Sequence, residues 1–337
     1  MSLVWMDGFE GYGTGATNPS MQLARRYAVG DTQYFSIVAG RTGGYAVKSV
    51  NGSYYFQTPA LTTNGTMIVS FGYRTDYAIQ SYNICFLFDG DTQGMGLALT
   101  GSGDIQVCRG GAVLATTTGL ACVTNTWYFI EFKVVCGSSG SYELRVNGNT
   151  VLSATGVNTQ AGSHAYHDRV RFMGGPYCNP CTDDFYVCDG AGSVNNDFLG
   201  NNKIVGVLPD ANGDASQWTG SGSGDHYTEV NENPPDDDTT YVEDATSGDK
   251  ELWGYAALSN LGVIRGIQIS TEARVTDVQP LTLKTVAKSA GTESADAGQV
   301  VSTTPYGTYL RLMETDHSGN PWTMASVNGT QFGVEVG

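Results

Sequence analysis

The chain has 337 residues, of which 40% are hydrophobic and only 15% charged, with 45 glycines and 19 tyrosines. Seventeen Lys and Arg stand against 33 Asp and Glu, a formal net charge of −16; this argues against nucleic-acid binding and against docking on an anionic membrane, both of which need a basic face. No apolar run approaches the roughly 20 residues of a membrane helix, and the hydrophobic content is too high for a disordered chain.

The opening Met1–Gly13 lacks the basic start and apolar stretch of a signal peptide, so none is expected. Helical periodicity is almost absent downstream. Short runs of β-branched and aromatic residues recur instead, broken by Gly, Asn, Asp and Ser. Strands are expected at Tyr54–Thr58, Gly65–Tyr73, Ile84–Asp89, Gly96–Leu99, Asp104–Arg109 and Trp127–Val135. Ser141–Val146, Thr150–Ser153, Arg169–Met173 and Asp184–Cys188 continue the series. Within Tyr128–Val135, Ile130, Phe132 and Val134 alternate with Phe129, Glu131 and Lys133, one row for the core and one for solvent. Asn147-Gly148 between two such runs predicts a tight hairpin. Gly190–Asn196 is small and polar, as in a linker. Pro209–Asp249 is poor in apolar residues and reads as a long acidic loop held by Trp218, Tyr227 and Tyr241. Strands resume at Glu251–Leu258, Val263–Ala273, Leu281–Ala287, Tyr309–Glu314 and Gln331–Val336, with a short helix starting near Pro321. The expected fold is all-β: two antiparallel β-sandwich domains, residues 1–190 and 203–337, joined by a linker at 191–202, the second carrying the loop 209–249.

The residues Met6–Glu10, Trp127–Lys133, Tyr142–Gly148 and Asp183–Val187 occur in an order that resembles the concanavalin A-like, laminin-G-like jelly roll, over about residues 5–190. A second string looks like two-domain structural proteins of tailed bacteriophages. It comprises Val187–Gly200, Ile204–Leu208, Gly213–Thr219, His226-Tyr227, Asn233–Val242 and Pro321–Thr323, with the closing Val327-Asn328 and Gln331–Val334. This resemblance implies a non-enzymatic virion protein, in capsid, neck or tail, that acts by forming oligomers and docking on other virion proteins. The long acidic loop, with Trp218, Tyr227, Asp236, Asp237, Asp238 and Tyr241, is the expected partner contact.

Candidate chemistry is sparse. No strand carries the closely spaced carboxylates of a retaining glycosidase. Glu131 reads as solvent-facing, Asp183 and Asp184 as pointing to opposite faces, and Gly220–Gly224 as a flexible loop rather than a nucleophile elbow. His164 and His167 followed by Cys178 and Cys181, with Cys188 beyond, offer soft ligands for a structural zinc, thiols for a disulfide, or free buried cysteines, with Pro176 and Pro180 stiffening the loop. Seven cysteines is an odd number, so at least one stays unpaired within the chain. Asp210, Asn212 and Asp214 place oxygen ligands at alternate positions, as an irregular calcium site requires, but without the Gly and Glu positions of an EF-hand. Tyr54–Phe56 and Tyr82-Asn83 are candidates to line a sugar-binding groove, which gives the alternative function, a lectin-like module for host glycans. A glycan-degrading enzyme ranks last, for want of a carboxylate pair.

Overall fold

The alternation read in Tyr128–Val135 lies at the middle of a two-layer sandwich. The computed structural model describes residues 2–13, 19–50, 54–175, 177–259, 262–277, 280–302 and 305–337. Pro176 lies outside them. The chain divides into two units, Met1–Val205 and Gly206–Gly337, and the fold is all-β with antiparallel pairing throughout.

In the first unit, one sheet runs in the order β13 (Asn149–Val157), β12 (Gly140–Val146), β11 (Tyr128–Val135), β6 (Thr66–Thr75), β15 (Pro180–Cys188), β4 (Tyr45–Ser49) and β3 (Phe35–Ala39). Its eighth strand, β1 (Leu3–Asp7), also pairs with β15. The facing sheet has seven strands: β10 (Ala112–Thr116), β9 (Ile105–Arg109), β8 (Thr92–Leu99), β7 (Tyr82–Asp89), β14 (Arg169–Met173), β5 (Tyr55–Gln57) and β2 (Ala28–Val29). The helix α1 (Pro19–Arg26) packs beside β2 and β3. The chain crosses between the layers repeatedly, which makes the unit a jelly-roll sandwich. The Asn147-Gly148 turn joins β12 to β13 with φ of 51° and 80°, the conformation that an Asn-Gly hairpin favours.

The core between the layers is aromatic. Phe172 stacks on Phe56 at 5.0 Å and meets Phe71 and Phe185 edge-on at 4.9 and 4.8 Å. Each such pair adds about 0.5–1.5 kcal/mol to the burial of its rings. Ile130, Phe132 and Val134 of β11 face this core. The opposite row is not solvent-facing as the alternation suggests: Phe129 and Glu131 are each only 1% exposed. A strap, residues 190–204, lies over that outer face, although its composition reads as a linker. Gly200 donates its N–H to Glu131 Oε1 (3.0 Å) and accepts the Tyr186 hydroxyl (3.0 Å). The Phe198 ring sits 4.0 Å under the Arg145 guanidinium, and Asp197 pairs with Lys133.

The second unit has a sheet in the order β16 (Pro209–Ser216), β19 (Lys250–Tyr255), β25 (Thr330–Val336), β21 (Thr282–Ser289) and β22 (Thr292–Ala295), with β23 (Gln299–Val300) also paired to β21. A ribbon of β20 (Ile267–Ala273) and β24 (Gly307–Met313) packs on it, and Trp253, Leu283 and Val334 of the sheet share a core with Val275, Val301 and Tyr309. Residues 209–249 are not an open loop. They contain β16 and a second small ribbon, β17 (Thr219–Gly220) with β18 (Val242–Glu243). The short helix α2 (Met324–Asn328) follows a Thr323 N-cap whose partner in the capping box is Ser326.

Candidate functional site

The outer face of the seven-stranded sheet carries a half-buried charge. Val170 and Phe172 face the core, so Arg169 and Arg171 of β14 face away from it. The register sets one row across the sheet: Gln57, Arg171, Phe86, Gly96, Cys108 and Val113. Gly96 is required there: a Cβ would lie 2.4 Å from the Phe86 ring, which lies flat along the sheet. Phe86, Phe88, Ala98 and Cys108 form a buried apolar floor.

Against this floor the Arg171 guanidinium carbon lies 4.1 Å from the ring centroids of both Tyr55 and Phe88. Its Nε donates to Gln57 Oε1 at 2.7 Å. Its two Nη groups have no acceptor, and no carboxylate lies within ion-pair distance among the described residues. Burial pushes its pKa below the usual arginine value, opposed by the nearby Tyr55 and Asp91. A half-buried cation held rigid against two rings, with two donor edges unspent, is an anion site already organised for a planar oxyanion. Of the residues expected to line a groove, Tyr55 and Asn83 lie on this face. Phe56 and Tyr82 turn inward, and Tyr54 stacks on Tyr34 at 3.9 Å.

A second charged cluster lies at the opposite sheet. Consecutive strand residues should diverge, yet Asp183 and Asp184 converge. The pairing of β15 with β6 slips between Asp183 and Tyr186, and Asp184 takes φ 47°. Arg41 thus meets both: its N–H donates to Asp183 Oδ2 (2.6 Å) and its Nη2 to Asp184 Oδ2 (2.7 Å). Glu10 completes the group, packed against Gly44. Burial pushes Glu10 and Asp183 each up to about 7 and raises Asp184 as well. Glu131 is raised mainly by burial under the strap. Arg41 also donates to Asn201 Oδ1 and to the Asn202 carbonyl, and Ile204 N–H donates to Asp184 Oδ1. These acids therefore anchor the strap.

The zinc and disulfide expectations are corrected by distance. His164 Nδ1 pairs with Asp89 Oδ1 at 2.8 Å, and His167 Nε2 accepts from Met95 N–H at 3.4 Å, both at the Asp89 end of β7. Cys178 lies beside Gly175 and Tyr82, at the other end of that strand, about 23 Å away at strand rise. Cys181 faces Arg74, and Cys188 is seven residues further along the extended β15. All seven cysteines are buried and none is bonded to another, and among the described residues no group of three or more His, Cys, Asp or Glu converges as metal ligands.

The calcium expectation is corrected on a different ground, because two of its three side chains are engaged elsewhere. Asn212 bonds Asp225 and the Tyr227 N–H, while Asp214 pairs with Lys288 at 3.1 Å. The expected partner residues make contacts within the second unit, with Asp236 and Asp238 exposed. Trp218 and Tyr227 pack on its core, Asp236 caps Thr240, and Asp238 holds Arg274 and Tyr306. Tyr241 N–H donates to Ser221 Oγ, and Asp237 has a left-handed backbone with φ 62°. The Gly220–Gly224 string makes room for buried side chains, with Gly220 against His226 and Gly222 against Glu229. Ser216 Oγ and the fully buried Glu251 both meet His226 at Nδ1 (3.0 and 2.9 Å). Because they share one nitrogen, they form no proton relay of the Ser-His-acid kind.

No family model matches the chain, and no curated protein matches it. Solved structures do. An endo-β-1,4-glucuronan lyase from Trichoderma reesei is 14% identical, covering 46% of this chain and 86% of its own, with a TM-score of 0.35. The PL-14 alginate lyase from Aplysia kurodai is 11% identical, covering 56% and 99%, with a TM-score of 0.43. A mutant Trypanosoma rangeli sialidase with trans-sialidase activity is 12% identical, covering 46% and 27%, with a TM-score of 0.35. These are glycan-active enzymes, and the comparisons identify no phage protein. The expectation of a non-enzymatic virion structural protein is corrected on that finding.

Proposed function

We propose that the first unit is a carbohydrate-active module that takes an acidic polysaccharide on the outer face of its seven-stranded sheet. The carrying observation is Arg171, a cation with no ion-pair partner among the described residues in a chain of net charge −16, stacked against Tyr55 and Phe88 and fixed by Gln57. A uronate carboxylate satisfies its two free Nη donors.

The reaction class that suits these residues is β-elimination. Neutralising the carboxylate acidifies the adjacent C–H, and a base removes that proton. The C–O bond to the leaving sugar breaks as C=C forms, and a proton passes to the departing oxygen. Tyr55, whose ring centroid lies 4.1 Å from the Arg171 guanidinium carbon, is the group nearest to handle the proton. Incubation with alginate or glucuronan, followed by ultraviolet absorbance for unsaturated uronate, tests this. Product from the wild type and none from Arg171→Ala supports elimination. Retention of both polymers on affinity electrophoresis without product restricts the site to binding. Neither retention nor product sinks the proposal.

A further inference from the structure

One lateral side of the first unit ends in two open strand edges, β10 from one sheet and β13 from the other. β10 pairs with β9 alone and β13 with β12 alone, and no other backbone partner meets either among the described residues. The two edges lie on the same side. Arg109, at the end of β9, donates to the Asn158 carbonyl, one residue past β13, at 3.1 Å.

An open edge is a row of unspent N–H and C=O groups, and folded proteins guard it with charge, proline, brevity or cover. The opposite side of the sandwich is guarded in this way: β2 has only two residues, and α1 packs against β2 and β3. The β10/β13 side lacks most such guards. Neither AVLAT nor NTVLSATGV contains a charged residue or a proline, in a chain carrying 50 charged side chains. Val113 and Leu114 are 52% and 38% exposed. β13 has nine residues, a ladder of about 30 Å at strand rise. The protective devices present are a bulge in the β10–β9 pairing and two register shifts in the β12–β13 pairing.

We infer that this side is an interface for a second copy of the chain, joined edge to edge. A single two-fold axis perpendicular to the layers sets β13 against its own copy and β10 against its own copy, both antiparallel, so one operation closes both ladders. Self-pairing of uncharged strands meets no like-charge repulsion there, whereas the acidic remainder of the surface opposes other contacts between copies. The seven-stranded sheets then form one continuous surface carrying two copies of Arg171. The interface stands whether or not that surface takes a polysaccharide.

Native mass spectrometry and sedimentation of the full chain test it. The expected species has twice the 35.7 kDa of the monomer. Val113→Lys combined with Thr155→Lys, both at exposed edge positions, should halve that mass while the variant keeps the wild-type far-ultraviolet circular dichroism spectrum and a cooperative melt. Ser153→Cys, at the centre of β13, should cross-link to its copy under mild oxidation, since the native cysteines are all buried. A monomeric wild type, or a dimer that survives the lysines and yields no cross-link, overturns the inference. Should the lysine variant misfold, the Ser153→Cys result decides.

Discussion

At the residue scale, recognition of an anion rests on how Arg171 is held. Arg171 has its conformational freedom removed before any ligand arrives, since two rings and Gln57 fix it. Its removal should cost about 1.5–3 kcal/mol of acidic-glycan binding, ten- to a hundredfold in affinity. Arg171→Lys should recover little of this, because an ammonium lacks the planar fork. Binding isotherms for both variants check the expectation, and a lysine variant equal to wild type would contradict it. Gly96→Val pushes a side chain into the Phe86 ring and should destabilise by about 1–3 kcal/mol in a denaturant titration.

Two titrating groups act in opposite senses. Burial holds His167 at about 4, below the ordinary 6.5, so the unfolded chain takes up the proton first. The stability this leaves is complete above pH 6.5 and is lost as the pH falls toward 4. Glu10 and Asp183 sit near 7, above 4.5 and 3.8, so the folded state keeps protons that the unfolded chain releases. Their contribution is greatest in acid and declines as the pH rises to about 7. The two effects oppose each other across the same window, about pH 4 to 7. In melting temperatures over that range, Glu10→Gln should tilt the profile toward higher stability at high pH relative to wild type, and His167→Gln toward lower; profiles parallel to wild type would contradict both assignments.

At the scale of the element, the alternation of β11 and the Asn147-Gly148 hairpin were legible because period-two burial and a two-residue turn leave local marks. The strap was not legible. Its contacts include backbone groups bonding to side chains 69 and 161 residues away, the Gly200 N–H to Glu131 and the Asn202 carbonyl to Arg41, and its composition resembles that of a linker. The same holds for the bulge that turns Asp183 and Asp184 together, since no residue type demands it. Residues 209–249 look structureless for a related reason: Glu229, Asp236 and Asn212 hold that segment through polar side chains, and hydrophobic periodicity does not see them. Arg171 itself sits in a run read correctly as a strand, but its lack of an ion-pair partner among the described residues is a property of space. Glu131→Ala should release the strap, raising hydrogen exchange across 197–204 while the β11 and β6 amides stay protected. Unchanged exchange there would show that Phe198 and Arg41 hold the strap without it.

At the scale of the molecule, the chain resolves into two units, each with its own core. The whole Arg171 site lies in the first. A fragment of residues 1–205 should fold cooperatively and bind acidic glycan with the affinity of the full chain, and a fragment that folds but fails to bind would assign part of the site to the second unit. The fold class was open to sequence reading because strand periodicity and turn residues recur along both units. The function was not, because it depends on one arginine's surroundings.

The most direct test of the central claim is a binding isotherm for wild type and Arg171→Ala against a polyuronate and its carboxyl-reduced counterpart, which differ only at the carboxylate. The account predicts that the wild type binds the acidic polymer, that reduction of its carboxyls costs at least tenfold, and that Arg171→Ala no longer distinguishes the two. Equal binding of both polymers by the wild type, or full discrimination retained by Arg171→Ala, would contradict it.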